Sequence, residues 1–217
     1  MNVIIIVLMN REKIEKILDT LHDTYPDAEC ALNHKDAFQL ITAVALSAQT
    51  TDKSVNKVTP ALFEKYPTPE SLAVAKPEEV AEYIRSIGMY KTKSGNIVAM
   101  AQKLCAEFGG EVPEDYDELI SLPGVGRKTA NVVQAVWFKK QRIAVDTHVF
   151  RVSNRIGLAH EKDVLKTEEA LMRAIPESRW SEAHHSLIFH GRNCCAARRP
   201  KCEECPIENL CEKNICI

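Results

Sequence analysis

Apolar residues recur with helical spacing along almost the whole chain. One apolar face marks a first helix that ends before Pro26, and it is formed by Ile14, Ile17, Leu18 and Leu21. The same spacing predicts further helices at 36–48, 51–64, 97–108, 115–121, 127–138, 147–156, 162–175 and 180–190. The pattern contains no convincing pair of alternating strands, so the sequence predicts an all-α fold.

Prolines and glycines mark several of the predicted helix ends. Pro69 and Pro77 each stand beside acidic residues at the start of a helical stretch, as is typical of a first helical turn. Gly88 is predicted to end the helix that begins at Pro77, and Gly109 and Gly110 close the helix at 97–108. Trp137 and Trp180 fall on apolar stripes and are predicted to be core residues.

The first eight residues differ in pattern from the segment after them. They are mostly apolar without a helical period, whereas a charged amphipathic helix begins just after Met9. The longest apolar run, residues 3–8, is too short to cross a membrane, and no basic stretch precedes it. We expect no membrane partner and no secretory leader, and we expect residues 1–8 to be dispensable for stability and activity.

Charge is distributed unevenly. The net charge of −2 argues weakly against a nucleic-acid partner, but residues 122–202 contain fifteen Lys and Arg against seven Asp and Glu. The stretches 122–140 and 191–202 hold four basic residues each and no acidic residue. These stretches are candidate phosphate-binding surfaces, although chance clustering on solvated helix faces would produce the same pattern.

Six of the eight cysteines lie in the last 24 residues. A disulfide framework is a poor explanation for them without a secretory leader, whereas clustered thiols in a reducing compartment indicate a metal. The spacing is x6, x2 and x5 between four candidate ligands, Cys195, Cys202, Cys205 and Cys211. Zinc sites usually pair two Cys-x2-Cys knuckles and only one is present, yet the spacing alone leaves zinc and an iron–sulfur cluster open.

A glycine-rich turn separates two predicted helices at residues 122–128. Gly124 and Gly126 lack a Cβ, so the backbone can approach a ligand closely. The next helix begins at Arg127, and its unpaired N–H groups favour a phosphate oxygen. This pattern is typical of a helix-hairpin-helix that grips the DNA backbone, and the alternative is a tight interhelical turn with an ordinary glycine cap.

Two residues near this turn are candidates for chemistry. Lys128 lies two residues after Gly126, where position alone would favour a further phosphate contact. Asp146 stands at the start of a predicted helix, where an N-cap is the common use of aspartate. A capping carboxylate stays ionised and oriented, so a structural and a chemical role are compatible for Asp146.

Several stretches together resemble the endonuclease III family of helix-hairpin-helix DNA glycosylases. They read LSAQTTDKSVNK at 46–57, SIGMYKTK at 86–93, LPGVGRKTANVV at 122–133 and VDTHVFR at 145–151, and the stretch 190–211 is similar as well. The resemblance extends over the chain from Met9 onward. It implies that Lys128 is the nucleophile of a glycosylase with AP-lyase activity and that Asp146 is the assisting carboxylate.

The resemblance also implies a cofactor. The x6, x2, x5 spacing is that of the family's [4Fe–4S] cluster, which leaves Cys194 and Cys216 as spectators. Between the first two ligands lie the cations Arg198, Arg199 and Lys201, which the cluster would hold toward DNA phosphates.

The target base lies inside the duplex, so the enzyme has to extrude it and fill the gap. The resemblance assigns the filling to Gln49 and to Met89, where relatives often have leucine. A second departure is Ile120, at a position where some relatives have an acid. Glu118 is two residues away, and isoleucine itself cannot supply an auxiliary proton role at this position.

The implied architecture has two helical domains with the active site in the cleft between them. Residues 30–140 would form a six-helix domain with the hairpin, and residues 1–29 and 141–217 a discontinuous iron–sulfur domain. The implied partner is double-stranded DNA containing oxidised pyrimidines or abasic sites, bound by a monomer in the cytoplasm of a prokaryote, at the nucleoid. The alternatives are a monofunctional adenine or mismatch glycosylase, which lacks the lysine, and a non-catalytic DNA-binding module.

Overall fold

The computed structural model describes residues 2–215, with side chains from Arg11 onward. Within these residues the chain is helical without a strand, which confirms the predicted all-α class. The helices are α1 (Asn2–Thr24), α2 (Ala37–Leu46), α3 (Asp52–Lys65), α4 (Pro69–Ala73), α5 (Pro77–Tyr83), α6 (Tyr90–Phe108), α7 (Tyr116–Ile120), α8 (Arg127–Val136), α9 (Thr147–Ile156), α10 (Val164–Ala174) and α11 (Trp180–Asn193). None of the described helices is long and apolar enough to cross a membrane.

Two compact units divide the chain. One comprises Ala31–Lys139, and the other combines Met1–Cys30 with Lys140–Ile217. The first unit contains α2 to α8, of which α4 and α7 have only five residues each. The second unit contains α1 and α9 to α11, followed by a C-terminal segment that holds two short 3-10 turns.

The Ala31–Lys139 unit is built around two apolar helices. α2 buries nearly its whole length, and α6 packs against α2, α4 and α5 and buries Ile97, Met100 and Leu104. α8 packs on α2 and on α7. Because α7 and α8 are both held by this core, the loop between them connects two anchored helices.

The other unit has its own core. Ile17, Leu18 and Leu21 of α1 are buried in the same cluster as Val149, Val152 and Ile156 of α9, Leu171 of α10 and Leu187 of α11. Arg179 adds a polar link, because its guanidinium donates to Glu15 at 2.9 Å and to Asp19 at 2.6 Å. The N-terminal helix therefore packs with the C-terminal third of the chain.

Three sequence-based expectations need correction. α5 ends at Tyr83, five residues before Gly88, and the left-handed conformation falls on Met89 instead. Trp180 is buried, but Trp137 is 39 % exposed at the end of α8, with its ring edge-on to His34. α1 begins at Asn2 and not just after Met9, where the sequence predicted its start. The side chains of residues 1–10 and all of Cys216, a predicted spectator, lie outside the described residues.

Candidate active site and metal centre

The turn between α7 and α8 depends on one glycine. Gly124 has a φ of +76°, which side chains rarely adopt, and an added Cβ would lie 2.9 Å from the Cβ of Asn96 on α6. Val125 is buried, and its N–H donates to the Leu122 carbonyl at 3.1 Å. Gly124 is thus required by both its backbone conformation and its close approach to α6.

The second glycine of the turn has a different environment. Gly126 is extended and is the N-cap of α8, with no side-chain cap and nothing within 4 Å of an added Cβ. The first N–H groups of α8 therefore receive no capping side chain from within the turn. Arg127 and Lys128 come directly after it and are exposed, and the Arg127 guanidinium carbon lies 6.0 Å from the centroid of the Tyr116 ring. The turn presents backbone donors and cations together, an arrangement suited to a phosphate.

Asp146 is the N-cap of α9, as the sequence suggested. Its carboxylate accepts the backbone N–H of His148 at 2.8 Å and that of Val149 at 2.7 Å. Both bonds use the same oxygen, Oδ1, and the side chain is half-buried. One oxygen of an oriented carboxylate is therefore engaged by the helix, and Oδ2 has no part in the cap.

His148, in the first turn of α9, lies next to Arg151. A guanidinium nitrogen of Arg151 lies 3.3 Å from His148 Nδ1, and since arginine donates only, Nδ1 accepts. Burial, followed by the charges of Arg151 and Arg192, lowers the pKa of His148 despite the opposing effect of Asp146. These contacts favour a neutral imidazole beside the Asp146 cap.

Gln49 and Met89, the predicted gap-filling residues, share a rare backbone conformation. Gln49 has a φ of 54° in the turn after α2, and Met89 has a φ of 57° as the N-cap of α6. Left-handed conformations are uncommon outside glycine and cluster at functional sites. Gln49 is exposed and Met89 is 57 % exposed, so neither side chain is used for packing within its unit.

A buried lysine connects the segments that carry these two residues. Lys93 on α6 is only 6 % exposed, and its ammonium donates to the Thr50 hydroxyl at 2.8 Å. Burial lowers the pKa of Lys93. Lys93 was not among the site residues predicted from the sequence, although a lysine on a helix otherwise rich in buried apolar residues was a signal for it.

All four predicted cluster ligands line one cavity in the C-terminal segment. The lining includes Cys195, Cys202, Cys205 and Cys211, together with the cations Arg155, Lys201 and Lys213, and no carboxylate of residues 11–215 belongs to it. The backbone N–H of Lys213 donates to Cys211 Sγ at 3.3 Å, and the Arg155 guanidinium lies 3.7 Å from Cys195 Sγ. Cations and N–H donors around thiolates fit an anionic metal–sulfur centre.

The spacing of the sulfurs bears on the choice of metal. Among the described residues, the ligand atoms that gather within 4.8 Å belong to His190, Cys194 and Cys205, a group that includes only one of the four predicted ligands. A tetrahedral zinc site with bonds of about 2.3 Å would hold four sulfurs within about 4 Å of one another. The four thiols around a shared cavity instead fit a multi-atom cluster.

His190 and Cys194 border the cavity from its inner side. His190 is fully buried, its Nδ1 lies 3.2 Å from the Tyr25 hydroxyl, and its Nε2 lies 3.7 Å from Cys205 Sγ. Burial lowers the pKa of His190 to about 4. Burial, followed by the nearby cysteines, raises the pKa of Cys194 to about 12, and its thiol donates to the Lys201 carbonyl at 3.5 Å.

The cations between the first two cysteines are exposed, and the loop that carries them is anchored. Arg198, Arg199 and Lys201 are exposed, and Arg199 has a φ of 54°. Arg155 of α9 donates to the carbonyls of Ala196 at 2.8 Å and Ala197 at 3.1 Å, just before these cations. This anchor was not predicted from the sequence, because a contact over about forty residues has no local pattern.

Comparison with known families gives two matches. Residues 42–177 match the model of the HhH-GPD superfamily of base excision DNA repair proteins. Residues 195–211 match the model of the iron–sulfur binding domain of endonuclease III, and these bounds begin at Cys195 and end at Cys211. The first match alone covers more than half of the chain.

Individual proteins are similar over nearly their whole length. Endonuclease III of Bacillus subtilis is 51 % identical over 207 residues, covering 95 % of this chain and 94 % of that protein. Endonuclease III of Escherichia coli K12 is 46 % identical over 204 residues, covering 94 % and 97 %. A solved structure of endonuclease III trapped as a covalent intermediate with DNA superposes with a TM-score of 0.89 at 49 % identity, covering 94 % of this chain and 96 % of that chain.

Proposed function

The chain belongs to the endonuclease III family of base-excision repair proteins, and from this premise we propose that Lys128 and Asp146 carry its chemistry. It is a bifunctional DNA glycosylase and AP lyase that carries a [4Fe–4S] cluster. The observation that supports Lys128 most directly is its exposed position at the start of α8, beside backbone donors that can hold the phosphate of the same nucleotide strand.

The residue type of Lys128 accounts for both activities. Its unprotonated amine attacks the sugar C1′, a C–N bond forms, and the damaged base leaves with the electrons of the glycosidic bond and takes up a proton. The C1′–O4′ bond then breaks, O4′ takes up a proton, and a protonated imine to the opened sugar forms. This imine acidifies C2′, so loss of a C2′ proton expels the 3′ phosphate by β-elimination. A water nucleophile would release the base but would form no imine.

Asp146 contributes an oriented negative charge. Because its Oδ1 is held by two N–H groups of α9, the carboxylate is fixed before substrate arrives. We assign it to stabilising positive charge that develops on the sugar or to proton transfers involving Lys128. Its half-buried position strengthens either effect relative to a carboxylate in water.

Two surfaces are assigned to the DNA backbone. Gly124, Gly126 and Arg127 form the hairpin surface, where an oxygen of a phosphate can meet the uncapped N–H groups of α8. The exposed cations of the cysteine loop, Arg198, Arg199 and Lys201, form the second. Neither surface contacts base edges in this assignment, so binding is independent of sequence.

Gln49 and Met89 are assigned to the gap left by the extruded base. Both are exposed, and both have a left-handed backbone in the turn that precedes a helix. Methionine in place of leucine keeps a large, flexible apolar side chain at this position.

The four cysteines Cys195, Cys202, Cys205 and Cys211 are assigned as the cluster ligands. Each supplies one thiolate to the cavity they share, and the matched iron–sulfur model spans these four positions without Cys194. The bound cluster would join both ends of the cationic loop at Cys195 and Cys202. Its role in this proposal is to hold that loop in place.

The substrates proposed are oxidised pyrimidines and abasic sites in double-stranded DNA, bound by one copy of the chain. We place this activity at the nucleoid, in the cytoplasm of a prokaryote, because the relatives described above are bacterial and the substrate is genomic DNA. Light scattering of the DNA complex would test the stoichiometry, and a mass of two protein copies per duplex would contradict it.

Borohydride trapping on thymine-glycol DNA tests the assignment of Lys128. The wild-type protein should become covalently joined to the DNA, whereas Lys128→Gln should bind but not be trapped. Asp146→Asn keeps the cap and should slow base release by about 10²-fold or more. Equal trapping by Lys128→Gln would remove Lys128 as nucleophile, and trapping of neither protein would favour a monofunctional glycosylase or a non-catalytic module.

A further inference from the structure

The first turns of α6 connect three segments of the proposed DNA-binding surface. Lys93 and Asn96 are three residues apart, so they lie on one face of the helix, and Met89 is its N-cap. Met89 is a proposed gap-filling residue, Lys93 bonds Thr50 next to Gln49, and Asn96 packs against Gly124 of the hairpin. The start of α6 and its N-cap thus join all three segments within the Ala31–Lys139 unit.

A continuous series of hydrogen bonds joins the two gap-filling turns. The Lys93 backbone N–H donates to the Met89 carbonyl at 3.0 Å, and the Lys93 ammonium donates to the Thr50 hydroxyl at 2.8 Å. The Thr50 hydroxyl donates to the Ala48 carbonyl at 3.4 Å, and the Thr50 N–H donates to the Ser47 carbonyl at 3.0 Å. These bonds hold the carbonyls and amides on both sides of Gln49.

The burial of Lys93 at this position of α6 requires a physical explanation. Burial of an ammonium costs free energy, and a helix core position of this size would accept leucine or methionine at no such cost. Two adjacent turns with non-glycine residues at positive φ also have to be held against relaxation. A charge-assisted hydrogen bond between the turns meets that need, because it is strong and directional.

We propose that Lys93 is a positioning residue that, through Thr50, sets the separation of Gln49 and Met89 so that both enter the gap left by one extruded base. The inference rests on the proposed roles of Gln49 and Met89. It predicts that the Lys93–Thr50 bond contributes to base extrusion specifically. An abasic site offers less stacking and pairing to disrupt, so the bond contributes little there.

The test compares Lys93→Met, Thr50→Val and the double variant on duplexes with paired thymine glycol and with an abasic site. Each single variant should lower kcat/KM on the paired lesion by about tenfold, as for loss of one hydrogen bond to a charged group. On the abasic site the fall should be under about twofold. Because one bond is removed in every case, the double variant should be no worse than the worse single variant.

Three controls separate this role from others. Thr50→Ser retains the hydroxyl and should restore near-wild-type values, and it keeps the test valid if Lys93→Met folds poorly. Lys91→Met removes an exposed lysine two residues away on α6 and should leave the ratio between substrates unchanged. The fluorescence of 2-aminopurine placed beside the lesion should show slower unstacking in Lys93→Met and Thr50→Val than in the wild-type protein. A general loss of protein stability would not slow this step selectively.

The outcomes distinguish the inference from its premise. If Gln49→Ala and Met89→Ala affect both substrates equally, the gap-filling assignment itself is wrong. If those two variants discriminate between substrates but Lys93→Met and Thr50→Val do not, only the positioning role of the Lys93–Thr50 bond is wrong. A fall confined to Lys93→Met, with Thr50→Val unaffected, would indicate a direct phosphate contact by the ammonium and would overturn the positioning role.

Discussion

The hairpin region, residues 116–136, and the cysteine segment, residues 194–215, achieve their shapes in different ways. In the hairpin region α7 and α8 flank a short turn, and Leu119 and Val133 are fully buried on either side of it. The cysteine segment has two 3-10 turns of three residues each and no α-helix. Apart from Cys194, its buried hydrophobic residue is Ile207.

This difference separates a shape held by a hydrophobic core from one held by ligation. The hairpin can meet DNA in a preformed conformation, since its two helices are packed before any ligand binds. A segment with so little apolar burial cannot offset its conformational entropy in this way, so bound metal has to supply the difference. Loss of the cluster should therefore disorder the cysteine segment and leave the hairpin region intact.

The largest expected effect comes from the cluster ligands. Cys195→Ser, Cys202→Ser, Cys205→Ser and Cys211→Ser should each lose or destabilise the brown absorption near about 400 nm that such clusters show. Hydrogen exchange should accelerate across 194–215 and stay slow in α7 and α8. A uniform rise in exchange over both regions would contradict the inference that the cluster holds only the cysteine segment in shape.

Cys194→Ser is the matched control for these variants. Cys194 is adjacent to Cys195 and buried, and its thiol donates to the Lys201 carbonyl, a bond that a serine hydroxyl can replace. The absorption should survive in Cys194→Ser. Colourless wild-type protein with stoichiometric zinc would show that the cluster assignment is wrong, although the role of Lys128 would stand.

The next largest effect concerns the hairpin region, whose shape is held by the hydrophobic core, and the two hairpin glycines test it. Gly124→Ala should lower the free energy of unfolding by about 2 kcal/mol, because alanine is strained at positive φ and its Cβ would press on Asn96. DNA affinity should fall with it. Denaturant unfolding and fluorescence anisotropy with undamaged duplex measure the two quantities.

Gly126→Ala supplies the contrast. Its backbone is extended and an added Cβ meets open space, so stability should change by less than about 0.5 kcal/mol. The new methyl group would stand where the phosphate is proposed to bind, so affinity should fall alone. Equal loss of stability in both variants would contradict the division of roles between the two glycines.

The cationic loop tests whether the cysteine segment reaches DNA. Replacing Arg198, Arg199 and Lys201 with alanine should weaken binding to lesion and undamaged duplexes alike. The slope of log affinity against log salt should fall by about 0.9 for each phosphate that the variant no longer neutralises. An unchanged slope would mean that the loop faces away from DNA, and the segment would then have a purely structural role.

The helices were accessible to sequence reasoning because they depend on local spacing, and the proposed cluster ligands rest on the local spacing of the cysteines. The apolar period located α2, α3 and α7 to α11, and the hairpin glycines and cysteine intervals stand out by residue type. The prediction for Trp137 was wrong because the apolar stripe continues to Trp137, one residue beyond the end of α8, where the side chain is partly exposed. The prediction for Gly88 was wrong because α5 ends at Tyr83 without a glycine.

Contacts over long separations could not be read from the sequence. Arg155 anchors the backbone after Cys195 across about forty residues, and Lys93 bonds Thr50 across 43. A lysine or arginine in a helix is usually solvated, and only the fold shows which distant groups these two side chains bind. The left-handed backbone of Gln49 and Met89 was equally hidden, since neither residue type favours it.

The smallest expected effect concerns strain at Met89 and compares two truncations. Met89→Ala and Met89→Gly both remove the gap-filling side chain, so both should reduce activity on paired lesions more than on abasic sites. Only glycine relieves the φ of 57°, so Met89→Gly should be about 1 kcal/mol more stable than Met89→Ala. Chemical denaturation measures the difference. Equal stability would mean that the turn before α6 relaxes once the side chain is gone, and the strain would then belong to the methionine and its surroundings and not to the backbone that α6 imposes.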